Sequence, residues 1–245
     1  MSHRVFNLQE VAVYLHLTTA DVETLIGERE IPCEKFGRRI VFRRQEIDSW
    51  ASKRILQPHG KQPGGQHPRL FENAKGFSVN KPLMPVLITA KGINPSLSSR
   101  TKASVMRDMV TLANQTNLVS DANDLIRTIE EREKMCSTAM YGGLALLHPR
   151  KYEPYLFAES FIVLGRTVQA IHFGAPDGNP TRLFFLICCR DDQIHLYTLA
   201  RLCCMCQKTS LLDELFAADS AKDMHAAILQ SEEEIIKGQI RTEKA

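Results

Sequence analysis

The chain has 245 residues, of which 44% are hydrophobic and 24% charged, and its formal net charge is +3. These values are typical of a globular protein with room for one large domain or two smaller ones. No uncharged apolar run approaches the length of a membrane span, and the opening stretch MSHRVFNLQEVAVYL lacks the apolar core of a signal peptide. We therefore expect a cytoplasmic protein without membrane insertion.

The seven cysteines are an odd number and lie mostly in apolar company, as in the runs LFFLICC and LARLCCMC. This pattern is typical of reduced, buried thiols and not of a disulfide framework. The cysteines also lack the paired CxxC spacing of a zinc site. We therefore expect no metal and no cofactor.

Composition changes along the chain and indicates separate segments. The stretch QPHGKQPGGQHPRLFENAK is rich in proline, glycine and polar residues, so it cannot bury enough apolar surface to order itself. Its surroundings are basic, whereas the remainder of the chain after it is acidic. We predict a small domain in residues 1–55, a flexible basic linker in residues 56–82 and a larger domain in residues 83–240.

The small domain has the pattern of a winged helix-turn-helix. Asn7 and Glu10 are spaced as a capping pair that begins a helix. After Thr18 and Thr19, a second helix carries Val22, Leu25 and Ile26. The run KFGRRIVFRR then predicts a hairpin that turns at Gly37, and a third helix extends through Trp50. Helix, tight turn, helix, basic hairpin and helix are together the elements of this fold.

Residues 6–54 resemble the excisionase/MerR-type DNA-binding domain over nearly their whole length. The resemblance rests on an opening helix with the pattern EVAVYL, on the Ile31-Pro32 pair, on the glycine-arginine turn of the hairpin and on Trp50. It implies duplex DNA as a partner of residues 1–55. The candidate DNA-binding residues are Thr19, Thr24, Lys35, Arg38, Arg39, Arg43 and Arg44.

Charge in this domain favours two different partners. The arginines of the hairpin suit contacts to DNA phosphates, which release counterions on binding. The second helix, TADVETLIGERE, contains acidic residues that would repel the DNA backbone: Asp21, Glu23, Glu28 and Glu30. Arg29 stands where the family favours glycine. The alternative is a module that has kept the fold and now binds protein, for example a regulatory target.

The larger domain alternates strands with helices. Patterns predict helices over residues 101–112 and 122–131, a short buried strand at Leu144–Leu147 and an apolar strand at Arg182–Cys189. Between these strands we expect a strand around Val163 that turns at Gly165-Arg166 into another, and three helices follow over residues 193–207, 211–216 and 220–236. The prediction is an α/β fold with a mixed sheet flanked by helices.

His148 ends the apolar run LALL and is the candidate nucleophile of this domain. His195 lies at the start of a predicted helix, whose first-turn N–H groups favour phosphate, and Arg132 lies in the polar run IEEREK. Two imidazoles and a guanidinium suit a phosphoryl group in transit. The alternative is a structural core histidine. Ser137 and Thr138 are candidates either to bind the phosphate or to cap their loop.

The segments EREKMCSTAMYGGLALLH and HLYTLARL resemble the enzyme IIA proteins of the bacterial phosphotransferase system, in the fructose/mannitol and nitrogen-regulatory class. The likeness spans about residues 83–236. It implies the mixed sheet of that class and a phosphotransferase role, in which His148 receives a phosphoryl group from an HPr-like phosphocarrier protein. His195 and Arg132 would hold the phosphate. Four positions depart from the family pattern of glycines and proline: Cys136, Ala139, Tyr141 and Leu147.

Three functions remain open from the sequence. The first is a regulatory phosphocarrier whose phosphorylation tunes what the helix-turn-helix binds. The second is a sugar-transport IIA component that passes its phosphoryl group to a IIB domain, and the third is a DNA-binding or adaptor protein with an inactive receiver. A homodimer is a further candidate assembly.

Overall fold

The structure, a computed structural model, describes residues 5–15, 17–37, 39–56, 81–150 and 155–243. The chain divides into two compact units between Val79 and Asn80. Most of the predicted linker, residues 57–80, lies outside the described residues, so the linker stays a prediction.

The first unit has the elements predicted for a winged helix-turn-helix, preceded by a short strand that the sequence patterns did not predict. Its three strands pair antiparallel in the order β1-β3-β2, and its core is formed by apolar side chains from all three helices and from β3. The elements are β1 Val5–Phe6, α1 Leu8–Leu15, α2 Thr19–Gly27, β2 Glu34–Phe36, β3 Arg39–Arg43 and α3 Arg44–Leu56.

Side-chain caps explain where the helices of this unit begin. The Asn7 N–H donates to Glu10 Oε2 at 2.9 Å while the Glu10 N–H donates to Asn7 Oδ1 at 2.9 Å, which confirms the predicted capping pair. Thr18 and Asp21 form the same reciprocal arrangement at the start of α2. Such caps satisfy N–H groups that have no partner within the helix.

Arg29 ends α2 in a left-handed conformation, with φ of 58°. Its N–H donates to the Ile26 carbonyl and the Glu30 N–H donates to the Leu25 carbonyl, which is the pair of bonds of a Schellman cap. Glycine is the residue that adopts this conformation without steric cost. The resemblance that placed a glycine at this position therefore identified a backbone requirement, which this chain meets with an arginine.

The second unit is a mixed five-stranded sheet flanked by helices, as predicted. None of its described helices, nor any described helix of the first unit, is long and apolar enough to cross a membrane. The elements are α4 Met84–Leu87, β4 Ile93–Leu97, α5 Lys102–Asn114, α6 Ala122–Met135, β5 Ala139–Met140, β6 Leu144–Leu147, β7 Phe161–Ile171, β8 Thr181–Cys188, α7 Asp192–Lys208, α8 Leu211–Ala217 and α9 Ala221–Glu243.

The strand order of the second sheet is β4-β7-β8-β6-β5. Strands β7 and β8 are antiparallel, whereas β6 runs parallel to β8, with Leu144 opposite Leu183 and Leu147 opposite Leu186. Parallel neighbours end at the same edge of a sheet. The residues that follow β6 and β8 therefore meet at one edge, which is where the candidate site lies.

The predicted turn at Gly165-Arg166 is wrong, because β7 extends as one strand from Phe161 to Ile171, with a shift in its pairing to β8 between Arg166 and Ile171. Gly165 allows neighbouring side chains to pack closely against β7 at this position. A Cβ at this position would lie 2.3 Å from Leu97 Cδ1 and 2.6 Å from Met109 Sδ. A glycine inside a strand often marks such a close approach of neighbouring groups, and only the tertiary structure distinguishes it from a glycine in a turn.

Helices α5 and α6 pack on the sheet and bury its main hydrophobic cluster. Met109 and Ala113 of α5, Leu125 and Ile129 of α6 and Val163 of β7 are all at most 1% exposed. Helix α6 thus presents a continuous buried face toward the sheet, and the same face continues into its last turn. The side chains at that end of the helix therefore lie next to the sheet edge where β6 ends.

Candidate functional site

Two histidines meet at the common edge of β6 and β8. His148 directly follows β6, and His195 lies in the first turns of α7, the helix that begins four residues after β8 ends. Their ring centroids are 4.8 Å apart, and the side chains are 2% and 0% exposed. The structure thus brings together two residues that are 47 positions apart in the sequence.

Arg132 joins this pair from the last turn of α6. Sequence patterns predicted that the helix would end at Glu131, but it continues to Met135, so Arg132 lies on its buried face. The Arg132 Nε–H donates to His148 Nε2 at 2.9 Å, and an Nη1–H of the same guanidinium donates to the Cys136 carbonyl at 3.1 Å. All three predicted site residues therefore lie in one cluster.

The hydrogen bonds of His148 define its tautomer. Its Nδ1 lies 2.9 Å from the Leu146 carbonyl, which can only accept, so Nδ1 carries the proton. Its Nε2 accepts from Arg132 and therefore presents a lone pair. A neutral imidazole with an unprotonated Nε2 is the form required of a nucleophile.

Burial and neighbouring positive charge keep both rings neutral. Burial lowers the pKa of His148 well below the ordinary value of 6.5, and repulsion from a proton on His195 and from the Arg132 guanidinium lowers it further. Burial, followed by Arg132, lowers the pKa of His195 to about 3. His148 therefore becomes protonated only in more acidic solution than an ordinary histidine.

Arg132 is a buried cation whose described partners are all neutral. Its side chain contacts His148 Nε2 and both the carbonyl and the sulfur of Cys136, and within the described part of the chain no carboxylate lies within ion-pair distance of it. A buried charge normally has a counter-charge. This arrangement therefore favours an anion beside His148.

The two hydroxyl candidates, Ser137 and Thr138, donate their hydrogen bonds elsewhere in the protein. Ser137 Oγ donates to the Phe173 carbonyl at 2.9 Å, and Thr138 Oγ1 donates to Glu133 Oε2 at 2.6 Å. Both residues lie in the loop that also supplies the Cys136 carbonyl to Arg132. In this structure the two hydroxyls hold the loop, and a role in binding phosphate stays a prediction.

The first turn of α7 is less open than the sequence suggested. Asp191 caps this helix, and its Oδ1 accepts the Ile194 N–H at 2.8 Å. The expectation of unpaired N–H groups is therefore wrong for Ile194, and the Asp191 carboxylate adds a negative charge at this end of the helix.

Sequence reasoning missed the charged pair behind the site. Glu133, next to Arg132, is 5% exposed, and its carboxylate lies 2.7 Å from Lys102 Nζ. The helical pattern contained the signal, because Leu125, Ile129, Arg132 and Glu133 follow the spacing of a single helix face. Charged residues at the end of an otherwise apolar face indicate a buried polar cluster.

The DNA-binding candidates are spread over α2, the hairpin and the start of α3. Four of them, Thr19, Thr24, Lys35 and Arg39, are exposed, whereas Arg38 lies outside the described residues. Arg43 Nε lies 2.7 Å from Glu34 Oε1, and the half-buried Arg44 guanidinium lies 5.4 Å from the Tyr14 ring centroid.

Cysteines in both units are free thiols: Cys33, Cys136, Cys188, Cys189, Cys203, Cys204 and Cys206. Burial raises the pKa of Cys189 and that of Cys206 to about 12, so these thiols stay protonated near neutral pH. Across the described ranges, no group of three or more histidine, cysteine or acidic side chains could hold a metal ion.

Known proteins similar to this chain share its second unit. The PTS system fructose-specific EIIABC component of Bacillus subtilis (strain 168) is 26% identical over 136 residues, which are 55% of this chain and 21% of that protein. The PTS system fructose-like EIIA component of Escherichia coli (strain K12) is 30% identical over 91 residues, which are 37% of this chain and 60% of that protein. The chain thus spans about a fifth of the length of the Bacillus relative and three fifths of the length of the Escherichia relative.

A solved structure, the nitrogen regulatory protein IIA-Ntr from Neisseria meningitidis, shares the fold with a TM-score of 0.53 and 22% identity. The likeness covers 59% of this chain and 97% of that one.

Fold and site together define an α/β unit with a buried imidazole pair, preceded in the chain by a helix-turn-helix unit. Residues 5–55 match a helix-turn-helix domain family. Residues 86–231, more than half of the chain, match the family "Phosphoenolpyruvate-dependent sugar phosphotransferase system, EIIA 2". The chain belongs to this EIIA family, and we refer to its second unit as the receiver unit.

Proposed function

We propose that this protein is a regulatory phosphocarrier, in which His148 accepts a phosphoryl group from an HPr-like carrier and thereby changes what the helix-turn-helix unit binds. One observation carries the proposal: a buried guanidinium with neutral partners faces the unprotonated Nε2 of His148. This pairing supplies both a nucleophile and a positive charge for the phosphoryl oxygens.

Transfer follows from the hydrogen bonds of His148. The Nε2 lone pair attacks phosphorus in line with the nitrogen of the donor phosphohistidine, so that the Nε2–P bond forms while the donor N–P bond breaks. The donor nitrogen leaves with the bonding electron pair. His148 keeps its Nδ1–H, and the Leu146 carbonyl at 2.9 Å stabilises the positive charge that develops on the ring.

Arg132 has two successive partners in this scheme. Its Nε–H first donates to the lone pair of the unprotonated Nε2. The same lone pair forms the bond to phosphorus, so the Nε–H must leave Nε2 when the phosphoryl group arrives. The guanidinium is then free to donate to phosphoryl oxygens, while its Nη1–H remains bonded to the Cys136 carbonyl. His195, whose ring lies 4.8 Å from that of His148, is the second candidate donor to the phosphate.

Intact-mass spectrometry tests the acceptor. The full chain is incubated with phosphoenolpyruvate and the phosphotransferase carriers up to the HPr-like protein, and we expect an acid-labile mass increase of one phosphoryl group. His148→Ala should abolish it, whereas His172→Ala, at an exposed histidine just after β7, should not. Arg132→Met should slow acceptance by about a hundredfold. An unmodified wild-type chain would contradict the proposal.

Regulation through the first unit requires a separate measurement. We propose that Lys35 and Arg39, which are exposed on the hairpin, contact DNA phosphates. Binding is measured on DNA selected from a random pool, as a function of salt, with phosphorylated and unphosphorylated chains. Each of Lys35→Ala and Arg39→Ala should reduce the slope of log K against log salt by about 1. Lys91→Ala, at an exposed lysine of the receiver unit, serves as the control.

Phosphorylation should change the DNA affinity of the wild type and leave that of His148→Ala unchanged. Equal affinities of both wild-type forms would favour an inactive or purely transport-related receiver. If the selection yields no DNA, the first unit is a protein-binding module.

A second candidate is a sugar-transport IIA component, because the Bacillus relative is named as a fructose-specific EIIABC component. This function predicts that phosphorylated His148 loses its phosphoryl group to a IIB domain. The test adds purified IIB domains to the phosphorylated chain and follows the mass of both proteins. Retention of the label on His148 would speak against this candidate.

A further inference from the structure

Behind the histidine site, Lys102, Glu133 and Thr138 form a polar cluster that the proposed transfer does not use. Lys102 Nζ lies 2.7 Å from Glu133 Oε1, and it also donates to the Phe173 carbonyl at 3.0 Å. The Glu133 side chain is 3% exposed, whereas that of Lys102 is 38% exposed. A carboxylate buried to this degree needs its partners, so the cluster is a fixed part of the structure.

From Glu133 a continuous chain of hydrogen bonds leads to the imidazole of His148. Glu133 accepts the Thr138 N–H at 3.0 Å and the Thr138 hydroxyl at 2.6 Å. The Thr138 carbonyl accepts the Leu146 N–H at 3.0 Å, and the Leu146 carbonyl accepts the Nδ1–H of His148 at 2.9 Å. The bond that sets the tautomer of His148 is thus linked to the Glu133 carboxylate.

The same loop also supports the other side of the imidazole. Residues 136–138 provide the Cys136 carbonyl that accepts from Arg132, and Arg132 donates to His148 Nε2. Glu133 is the neighbour of Arg132 on α6 and holds this loop at Thr138. Both hydrogen bonds of His148 therefore depend on the position of one loop.

We infer that Glu133 is a positioning residue: with Lys102 and Thr138 it holds the loop of residues 136–138 so that His148 stays in the Nδ1–H tautomer with Nε2 facing Arg132. The inference rests on the proposed function only for its kinetic consequence, because the tautomer is a property of the unphosphorylated protein. Outer residues that orient a functional histidine have comparable roles at metal sites.

The test compares Glu133→Gln with Glu131→Gln in the full chain. Glu131 is a carboxylate on the same helix, 39% exposed and 3.9 Å from Arg150, so it serves as the matched control. Two-bond ¹H–¹⁵N spectra of the imidazole distinguish a protonated from an unprotonated ring nitrogen. We expect Nδ1 of His148 to be protonated in the wild type and in Glu131→Gln. In Glu133→Gln we expect the ¹⁵N chemical shifts of both ring nitrogens to move toward the average of the two tautomers.

Phosphoryl acceptance is the second readout. Glu133→Gln should slow the transfer to His148 by about ten- to a hundredfold, with Glu131→Gln at the wild-type rate. Wild-type imidazole spectra in a folded Glu133→Gln protein would overturn the inference, whether or not His148 accepts phosphate. Shifted spectra in a protein whose wild type also fails to accept phosphate would support the positioning role and contradict the proposed function.

Thr138 variants keep the inference testable if Glu133→Gln does not fold. Thr138→Val removes the hydroxyl that donates to Glu133 and retains the backbone bond, so we expect a smaller shift of the same sign in the imidazole spectrum. Thr138→Ser restores the hydroxyl and should restore the wild-type spectrum. Identical spectra in Thr138→Val and Thr138→Ser would overturn the inference.

Discussion

The two units of the protein place their charged groups differently. In the helix-turn-helix unit, the pairs Arg43–Glu34 and Arg54–Glu30 lie at or near the surface, with side chains that are 19% to 57% exposed. In the receiver unit, the Glu133 side chain is 3% exposed, and Arg132 is buried against His148. Exposed pairs contribute little to stability, whereas buried polar groups depend on every partner.

This difference predicts different tolerance to change. Substitutions on the surface of the first unit should alter partner binding while leaving the fold intact. Substitutions or proton binding in the receiver unit should affect both its stability and the geometry of its site. Three changes test this contrast: proton binding at the buried histidines, a methyl group added at Gly165 and removal of the Arg29 side chain.

Acid should destabilise the receiver unit first. The pKa of His195 is about 3 in the folded protein and near the ordinary value of 6.5 in the unfolded chain, so between these pH values the unfolded chain binds a proton that the folded protein does not. The stability that the neutral histidine contributes is therefore fully present above about pH 6.5. Below this pH the free energy of unfolding decreases by about 1.4 kcal/mol per pH unit for each such histidine. The lowered pKa of His148 acts in the same direction.

Urea unfolding at a series of pH values measures this effect. Trp50 is the single tryptophan of the chain, so its fluorescence reports the first unit, and far-UV circular dichroism reports both units. His195→Asn should remove one histidine's share of the pH dependence. If the free energy of unfolding of that variant depends on pH as steeply as that of the wild type, His195 does not titrate as the structure implies.

Adding a methyl group at Gly165 should be costly in the receiver unit. The Cβ of Gly165→Ala would lie within 2.6 Å of the buried side chains of Leu97 and Met109, so we expect a loss of about 1–3 kcal/mol in the free energy of unfolding. Gly27→Ala in α2 is the control, because nothing lies within 4 Å of its added Cβ. Equal stability of both variants would mean that the contact at Gly165 relaxes freely.

Removing a side chain at Arg29 should have the opposite and smaller effect in the first unit. Arg29→Gly relieves a left-handed conformation, which should stabilise the unit by about 0.5–1 kcal/mol. Trp50 fluorescence during urea unfolding measures it, and Arg29→Lys separates the backbone effect from the loss of charge. A destabilised Arg29→Gly would indicate that the arginine side chain makes a compensating contact.

Short-range patterns predicted the elements of the fold better than the contacts of the site. The cap at Asn7 and the apolar strand at Leu144–Leu147 lie where the sequence placed them, because such signals involve only neighbouring residues. Gly165 was misread as a turn, since a glycine that permits close packing has the same local pattern as one that permits a bend.

For the candidate site, the sequence identified the residue types and the resemblance identified the positions. His148, His195 and Arg132 lie together in the structure, while their roles in phosphoryl transfer stay proposals. Glu133 and Lys102 were missed, because 31 positions separate them in the chain and their pairing depends on how α5 packs beside α6.

The two-part organisation, the family of the receiver unit and the chemical groups of its site could be read from the amino-acid sequence, because motifs and periodicity are local properties. The protonation of those groups depends on how the chain folds. His148 is a neutral imidazole because it is buried at the common edge of β6 and β8. Its lone pair is on Nε2 because the Leu146 carbonyl accepts from Nδ1–H and Arg132 donates to Nε2. The reason is physical: a pKa is set by desolvation and by neighbouring charges that folding alone brings within a few ångströms.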